Sequence, residues 1–213
     1  MQNHKIRVLL VDDHAMVRNG VRMMLGSADD ICVVAEADTA QTAMQLVMQQ
    51  DFDVALVDIA MPGKNGLELL KSLKQQKPKL AVLILSMYSE EVYAVRALKL
   101  GAAGYLTKNS PESTLVDAVR KAAAGGKYVS ASLGEQFAEM LGGGSLALHE
   151  ALSDRELEVL KLIASSESLV NIGVALHLSP STVTTYRARI LEKMGMKTNA
   201  ELTRYANQCG LIA

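Results

Sequence analysis

The sequence predicts an α/β domain built on a parallel sheet with helices on both faces, followed by a small all-α domain. Three observations carry that prediction. Within residues 1–124, five short apolar runs rich in Val, Ile and Leu alternate with five segments whose apolar residues recur at helical spacing. The central run, Ala55-Leu56-Val57-Asp58-Ile59-Ala60-Met61-Pro62-Gly63, is too short for a helix and closes on Pro62 and Gly63. It reads as a buried strand that delivers a carboxylate to its own end. Beyond Leu152 no strand pattern remains. Parallel neighbours need right-handed crossovers, so the alternation fits the flavodoxin-like arrangement, whose ligands gather at the carboxyl ends of the strands.

Residues 5–11 form a first apolar strand ending in Asp12-Asp13. Residues 14–25 place Met16, Val17, Val21, Met24 and Leu25 at helical spacing, closed by Gly26. A strand is expected over 31–37, a helix over 39–49, the central strand over 52–59, and a helix over 65–76 that stops before Pro78. The fourth strand, 80–85, ends at Ser86, and the helix over 90–100 is closed by Gly101. A short fifth strand over 103–106 runs into Thr107-Lys108. Ser110 as cap, with Pro111 and Glu112 behind it, opens a helix to about residue 124. Residues 125–148 read as a linker, most flexible at Gly142-Gly143-Gly144-Ser145, with a helix expected inside it over 133–141. Helices are expected over 153–164, 169–176, 181–194 and 199–208, which gives domains at 1–124 and 149–213.

With 213 residues, 49% of them hydrophobic, the chain has enough apolar material for two packed cores. A net charge of -1 points to no particular partner. Cys32 and Cys209 have no metal-ligand spacing and suit a reducing compartment as packing residues. Met16, Met23 and Met24 read as core packing or a partner face. No apolar run reaches the length of a membrane span, so the expected setting is soluble and cytoplasmic, with no membrane partner.

The strand ends collect Asp12, Asp13, Asp58, Ser86 and Lys108. Taken singly, a strand-end Asp is a turn former, a lone Lys a solvated charge, and an Asp pair a helix cap. Together at matching strand ends they form a pocket. Val11-Asp12-Asp13-His14, Asp58-Ile59-Ala60-Met61-Pro62-Gly63, Ser86 and Lys108 resemble, over residues 4–124, the receiver domain of two-component response regulators. The resemblance implies that Asp58 accepts a phosphoryl group from a sensor histidine kinase.

Converging carboxylates stay ionised together only around a divalent cation. Mg²⁺ is the expected ion, held by Asp13, Asp58 and the main-chain carbonyl of Ala60, with Asp12 acting through water. Lys108 and the Ser86 hydroxyl are expected to meet phosphoryl oxygens, and the resemblance implies that the Tyr105 rotamer follows that movement. By the same resemblance, the positions that orient a hydrolytic water are Ala60 and Tyr88. Neither suits that task, so a long-lived phosphorylated state is expected. A phosphohydrolase with the same Asp and Mg²⁺ chemistry would need an acid at position 60, where Ala stands; no enzyme is expected.

In the second domain, Ser153 with Glu156 forms a capping box, and Ser179-Pro180 opens a helix directly behind a shorter one. Two helices joined by a tight turn give a helix-turn-helix. Residues 149–213 resemble the helix-turn-helix domain of the LuxR, NarL and FixJ regulators, including Thr182-Val183, Tyr186-Arg187 and Ile190-Leu191-Glu192-Lys193-Met194. The recognition helix is expected over 180–194, with Val183, Ile190, Leu191 and Met194 inward. Ser181, Thr182, Thr184, Thr185, Arg187, Ala188, Arg189 and Lys193 are the expected DNA contacts, with Thr184, Thr185 and Ala188 matching base-facing positions of the family.

Two features depart from that pattern. Val170-Asn171 stands where relatives offer a Lys-Glu pair, and Gly173, where they offer Ala, should cost the helix about 1 kcal/mol. Residues 149–213 carry seven Lys plus Arg against seven Asp plus Glu, so DNA affinity should be modest unless two copies bind paired half-sites as a homodimer. The dimer is expected through the last helix, using Leu202, Tyr205 and Ala206. The whole reads as a response regulator whose phosphorylation at Asp58 controls dimerisation, DNA binding and transcription. The alternative is a protein-binding adaptor whose helix-turn-helix holds DNA weakly or not at all.

Overall fold

The computed structural model describes residues 5–61, 65–87, 90–135, 148–176 and 178–212, and the chain divides into two compact units between residues 138 and 139. The first unit alternates β1 (Ile6–Val11), α1 (Ala15–Gly26), β2 (Ile31–Ala37), α2 (Ala40–Gln49), β3 (Val54–Val57), α3 (Gly66–Gln76), β4 (Ala81–Ser86), α4 (Glu90–Lys99), β5 (Gly104–Thr107) and α5 (Glu112–Ala123). All neighbouring strands are parallel, in the order β2-β1-β3-β4-β5. The order reverses about β1, so a crevice opens at the carboxyl ends of β1 and β3. Val11 pairs with Val57, and Asp58 N–H donates to the Val11 carbonyl at 2.9 Å, which sets Asp12 and Asp58 side by side.

Every residue of β3 is fully buried, as a strand covered on both faces requires. Asn65 caps α3 by accepting the Glu68 N–H at 2.9 Å, and Thr39 caps α2 through the Thr42 N–H. Gly101, at φ +97°, lies just past α4, where a left-handed residue frees the chain to turn into β5.

Several expectations are corrected. Ser110 does not cap α5. Pro111 occupies the cap position without a side-chain bond, and the Ser110 hydroxyl lies 3.2 Å from that of Thr107. Gly26 is the last residue of α1, and Ser27 holds its end by donating its hydroxyl to the Met24 carbonyl at 2.7 Å. Cys32 is exposed on β2, which pairs on one side only. Met16 and Met23 are exposed on α1, whereas Met24 packs against the core. The chain stays ordered past α5: Tyr128 N–H donates to the Ala103 carbonyl at 2.7 Å, Leu133 is buried, and 131–135 are helical. Residues 136–147, with the glycine cluster and most of the helix expected there, lie outside the described residues.

Among its described residues the second unit holds a 3₁₀ turn (Leu148–Ala151) and four helices, α6 (Asp154–Ala164), α7 (Leu169–Leu176), α8 (Pro180–Met194) and α9 (Asn199–Gln208). The Ser153–Glu156 capping box forms, and Thr198 with Glu201 makes a second one on α9. Leu157, Leu160, Ile172, Val183, Ile190, Leu202 and Ala206 are buried. Leu191, expected inward, is half-buried.

Gly173 reverses the sequence-based cost. A Cβ there would stand 2.7 Å from the Leu178 carbonyl oxygen, and the Gly173 carbonyl accepts the Leu178 N–H at 2.8 Å. The glycine lets the turn between α7 and α8 close onto the first helix, where a Cβ would collide with backbone.

Leu202 and Ala206 are both fully buried, and α9 packs its apolar stripe on α6. Tyr205 is half-buried and its hydroxyl meets His149, 2.8 Å from Nδ1 and 3.2 Å from the backbone N–H, which it accepts. The residues assigned from sequence to a dimer interface are therefore the core side of this domain. The exposed side of α9 carries Ala200, Arg204 and Asn207.

Candidate metal centre and nucleic-acid interface

The loops that leave β1, β3 and β5 at their carboxyl ends bring Asp12, Asp13, Asp58 and Lys108 together. Lys108 Nζ lies 2.6 Å from Asp12 Oδ2 and 2.7 Å from Asp58 Oδ2, with all three side chains at most 8% exposed. One ammonium thus bridges two buried carboxylates. Burial pushes the Asp58 carboxyl above the ordinary Asp range, despite the attraction of Lys108. Burial also opposes the charge on Lys108, but its hydrogen bonds to Asp12 and Asp58 outweigh it and hold the ammonium above the usual Lys value.

Asp13 is half-exposed and faces His14, whose Nδ1 lies 2.8 Å from Asp13 Oδ1 and 3.4 Å from Asp12 Oδ1. Donor atoms of Asp12, Asp13, His14 and Asp58 all fall within 4.8 Å of one another. Asp58 Oδ1 is buried with no hydrogen-bond partner among the described residues. An orphaned oxygen beside further carboxylate oxygens is a hard donor set that fits a small divalent cation.

Ser86 is fully buried at the end of β4, and its carbonyl accepts the Lys108 N–H at 2.8 Å, so β4 sets the start of the lysine loop. Tyr105, on β5, is buried. Ala60 is exposed on the loop beyond Asp58, while Pro62, Gly63 and Tyr88 lie outside the described residues.

Two supporting residues, Arg18 and Gly66, escaped the sequence reading, and a third, His14, entered it only as part of a motif, with no role of its own. Arg18 donates from Nη1 to the Asp12 carbonyl at 2.7 Å and from Nε to Glu36 at 3.2 Å, tying the acidic loop to α1 and β2. Gly66 opens α3 so close to the β3 end that a Cβ would stand 2.0 Å from the Asp58 carbonyl oxygen. Its signal was a glycine directly after a helix cap, where a helix former is the ordinary choice. His14 follows two acids in sequence, and that adjacency was its signal.

In the second unit, α8 exposes Ser181, Thr184, Thr185, Ala188 and Arg189. Thr184 and Thr185 donate their hydroxyls to the Pro180 and Ser181 carbonyls at 2.9 and 3.1 Å, which leaves their methyls as the outward chemistry. The half-exposed Thr182 is occupied at the cap, its hydroxyl 2.7 Å from that of Ser179. Arg187, half-exposed, donates to Asn199 Oδ1 at 2.6 Å, and Lys193 to Glu156 Oε2 at 2.6 Å. Arg189 makes no hydrogen bond or ion pair among the described residues.

An α/β unit with a lysine-bridged acidic crevice, joined to a helix-turn-helix unit, defines a two-domain regulator. The chain matches the response regulator receiver domain over residues 8–120 and the luxR family of bacterial regulatory proteins over residues 150–206. It is 35% identical over 211 residues to the response regulator GacA of Pseudomonas aeruginosa, covering 97% of this chain and 98% of that one. It is 33% identical over 208 residues to the response regulator UvrY of Escherichia coli, covering 97% and 95%. Among solved structures, RcsB from Salmonella enterica serovar Typhimurium, bound to promoter P1flhDC in the presence of phosphomimetic BeF3-, aligns with a TM-score of 0.68 at 25% identity over 96% of this chain and 99% of that one. The chain belongs to the NarL/FixJ family of two-component response regulators, with a receiver domain and a LuxR-type helix-turn-helix domain. Among the described residues no helix is long and apolar enough to cross a membrane.

Proposed function

We propose that Asp58 is the phosphoacceptor, that a histidine kinase supplies the phosphoryl group, and that the state of Asp58 governs DNA binding by α8 and hence transcription. The observation that carries this reading is the Asp58 carboxylate, 2% exposed, bridged through Lys108 to Asp12, its Oδ1 without a hydrogen-bond partner among the described residues. A buried carboxylate already paired with an ammonium has at hand a cation that can pass to the oxygens of an incoming phosphoryl group. The Asp58 carboxylate attacks the donor phosphorus in line, the bond from phosphorus to the donor breaks, and the product is an acyl phosphate. Lys108 then turns from the Asp58 oxygen to the phosphoryl oxygens, and the Ser86 hydroxyl donates to one of them. Tyr105 moves with that change. Mg²⁺, held by Asp13, Asp58 and the Ala60 carbonyl with Asp12 acting through water, would offset the charge of the arriving group.

The functional divisions are residues 1–124, the connecting segment 125–148, and residues 149–213. The protein works in the cytoplasm as a switch and not as a turnover catalyst. Two copies pair on DNA through the exposed side of α9, and each α8 enters a major groove. Thr184, Thr185 and Ala188 offer methyls to base edges, and Ser181, Thr182, Arg187, Arg189 and Lys193 face the backbone. For Arg187 and Lys193 this means leaving Asn199 and Glu156. That exchange, with the seven-against-seven charge balance, also favours a second reading: an adaptor whose helix-turn-helix grips DNA weakly. Salt separates the two, because a DNA reader loses affinity steeply between about 50 and 200 mM salt.

The phosphoacceptor assignment is tested by intact-mass measurement after incubation with acetyl phosphate and Mg²⁺. One phosphoryl group is expected on the parent and none on Asp58→Asn. An adduct that persists on the variant would move the site elsewhere.

A further inference from the structure

We propose that His14 is a nitrogen ligand of the acidic pocket and biases it toward first-row transition cations over Mg²⁺. The proposal rests on reading the pocket as a divalent-cation site. His14 occupies the cap position before α1, yet its side chain makes no bond to the helix. Its backbone N–H instead donates to Asp12 Oδ1 at 2.8 Å, which fixes the residue over the acids. Nδ1 then stands 2.8 Å from Asp13 Oδ1 and 3.4 Å from Asp12 Oδ1. Neighbouring donors on an octahedron with bonds of about 2.1 Å lie about 3 Å apart, between those two separations.

The division of partners points the same way. Lys108 is shared between Asp12 and Asp58, whereas Asp13 is faced by the imidazole. Asp58 Oδ1, in a side chain that is almost fully buried and without a hydrogen-bond partner among the described residues, lies within the same 4.8 Å cluster of donors. Three carboxylates alone make a hard oxygen site suited to Mg²⁺, and adding an imidazole shifts preference toward transition metals. As a ligand the ring is neutral, with its proton on Nε2 and Nδ1 toward the metal. The side chain is 62% exposed, so it can turn onto an ion and can be replaced without opening the core.

The experiment uses the full chain with Mn²⁺ as probe. Pulsed electron paramagnetic resonance of the Mn²⁺ form should show the modulation of a directly bound imidazole nitrogen, and His14→Gln should lose it. Competition titration should show the affinity for Mn²⁺ relative to Mg²⁺ falling by about tenfold in His14→Gln, with Mg²⁺ affinity itself little changed. Mn²⁺ that binds without nitrogen modulation, or an unchanged ratio in His14→Gln, overturns His14 as ligand and leaves the cation site standing. Failure of the parent to bind either ion overturns the cation site as well. Asp13→Asn, which should bind both ions more weakly, tells these results apart.

Discussion

Replacing Gly66 with Ala tests how α3 is packed against the end of β3. The added Cβ would stand 2.0 Å from the Asp58 carbonyl oxygen, 2.7 Å from its carbon and 2.9 Å from Ile59 Cα. All three are backbone atoms, so no side chain can swing away. The β3 end is held in turn by the Asp58 N–H on Val11 and the Gly66 N–H on Ile59, at 2.9 and 3.0 Å. Relief requires the loop to retreat by roughly an ångström, at a cost of about 1–3 kcal/mol for overpacking. Weakening the Gly66 to Ile59 bond adds about 1 kcal/mol, and the helix preference of Ala returns a few tenths. The net loss is about 2–4 kcal/mol, or roughly 8–16 °C in Tm for a domain of this size. Because the displaced atoms belong to Asp58, phosphoryl uptake from acetyl phosphate should slow as well. Urea titration and intact-mass time courses measure the two effects. Gly20→Ala is the control: nothing lies within 4 Å of its Cβ position inside α1, so it should gain up to about 1 kcal/mol. A Gly66→Ala protein within about 0.5 kcal/mol of the parent, with unchanged uptake, would refute the packing argument.

Three further outcomes are expected. The Asp58 pKa is raised in the folded state, so its contribution to stability is present below the unfolded value of 3.8 and is lost as pH rises through the folded value. With chelator present, Asp58→Asn should therefore be more stable than the parent at pH 7, and the advantage should shrink toward pH 3.8 in urea titrations; an advantage that grows in acid contradicts the sign. Leu202→Asp should unfold the second unit, at a cost of about 3–5 kcal/mol, and not merely uncouple a dimer. Circular dichroism would show the loss of helix, while Arg204→Glu on the exposed side of α9 should keep the fold and lose cooperative binding to paired half-sites. Ala60 is exposed beyond Asp58 and its methyl can bind no water, so on the proposed chemistry Ala60→Asn should shorten the lifetime of the acyl phosphate, read as loss of phosphoryl label; an equal or longer lifetime would point to a different control.

The pocket was legible because its residues sit at strand ends, and strand ends are marked by apolar runs that stop. Asp12, Asp58, Ser86 and Lys108 each follow or close such a run, and the parallel register then leaves them little choice of place. Partner choice was not legible. That Lys108 bridges Asp12 and Asp58, or that Lys193 turns to Glu156, depends on side chains from elements far apart in sequence. Close approach was equally hidden. Gly66 and Gly173 look like weak helix residues until the Asp58 and Leu178 carbonyls are seen against them. Leu202 and Ala206 show a different limit, because an apolar stripe on a short helix has the same spacing whether it faces its own domain or a second copy. Only the packing of α9 on α6 decides it.

The central claim is that the state of Asp58 governs which DNA the second unit holds. Selection of bound genomic fragments from purified protein, with and without acetyl phosphate and Mg²⁺, in the parent and in Asp58→Asn, tests it directly. A set of fragments sharing paired half-sites should be enriched by the loaded parent alone. The same fragments recovered without loading, or recovered equally by Asp58→Asn under loading, would contradict it.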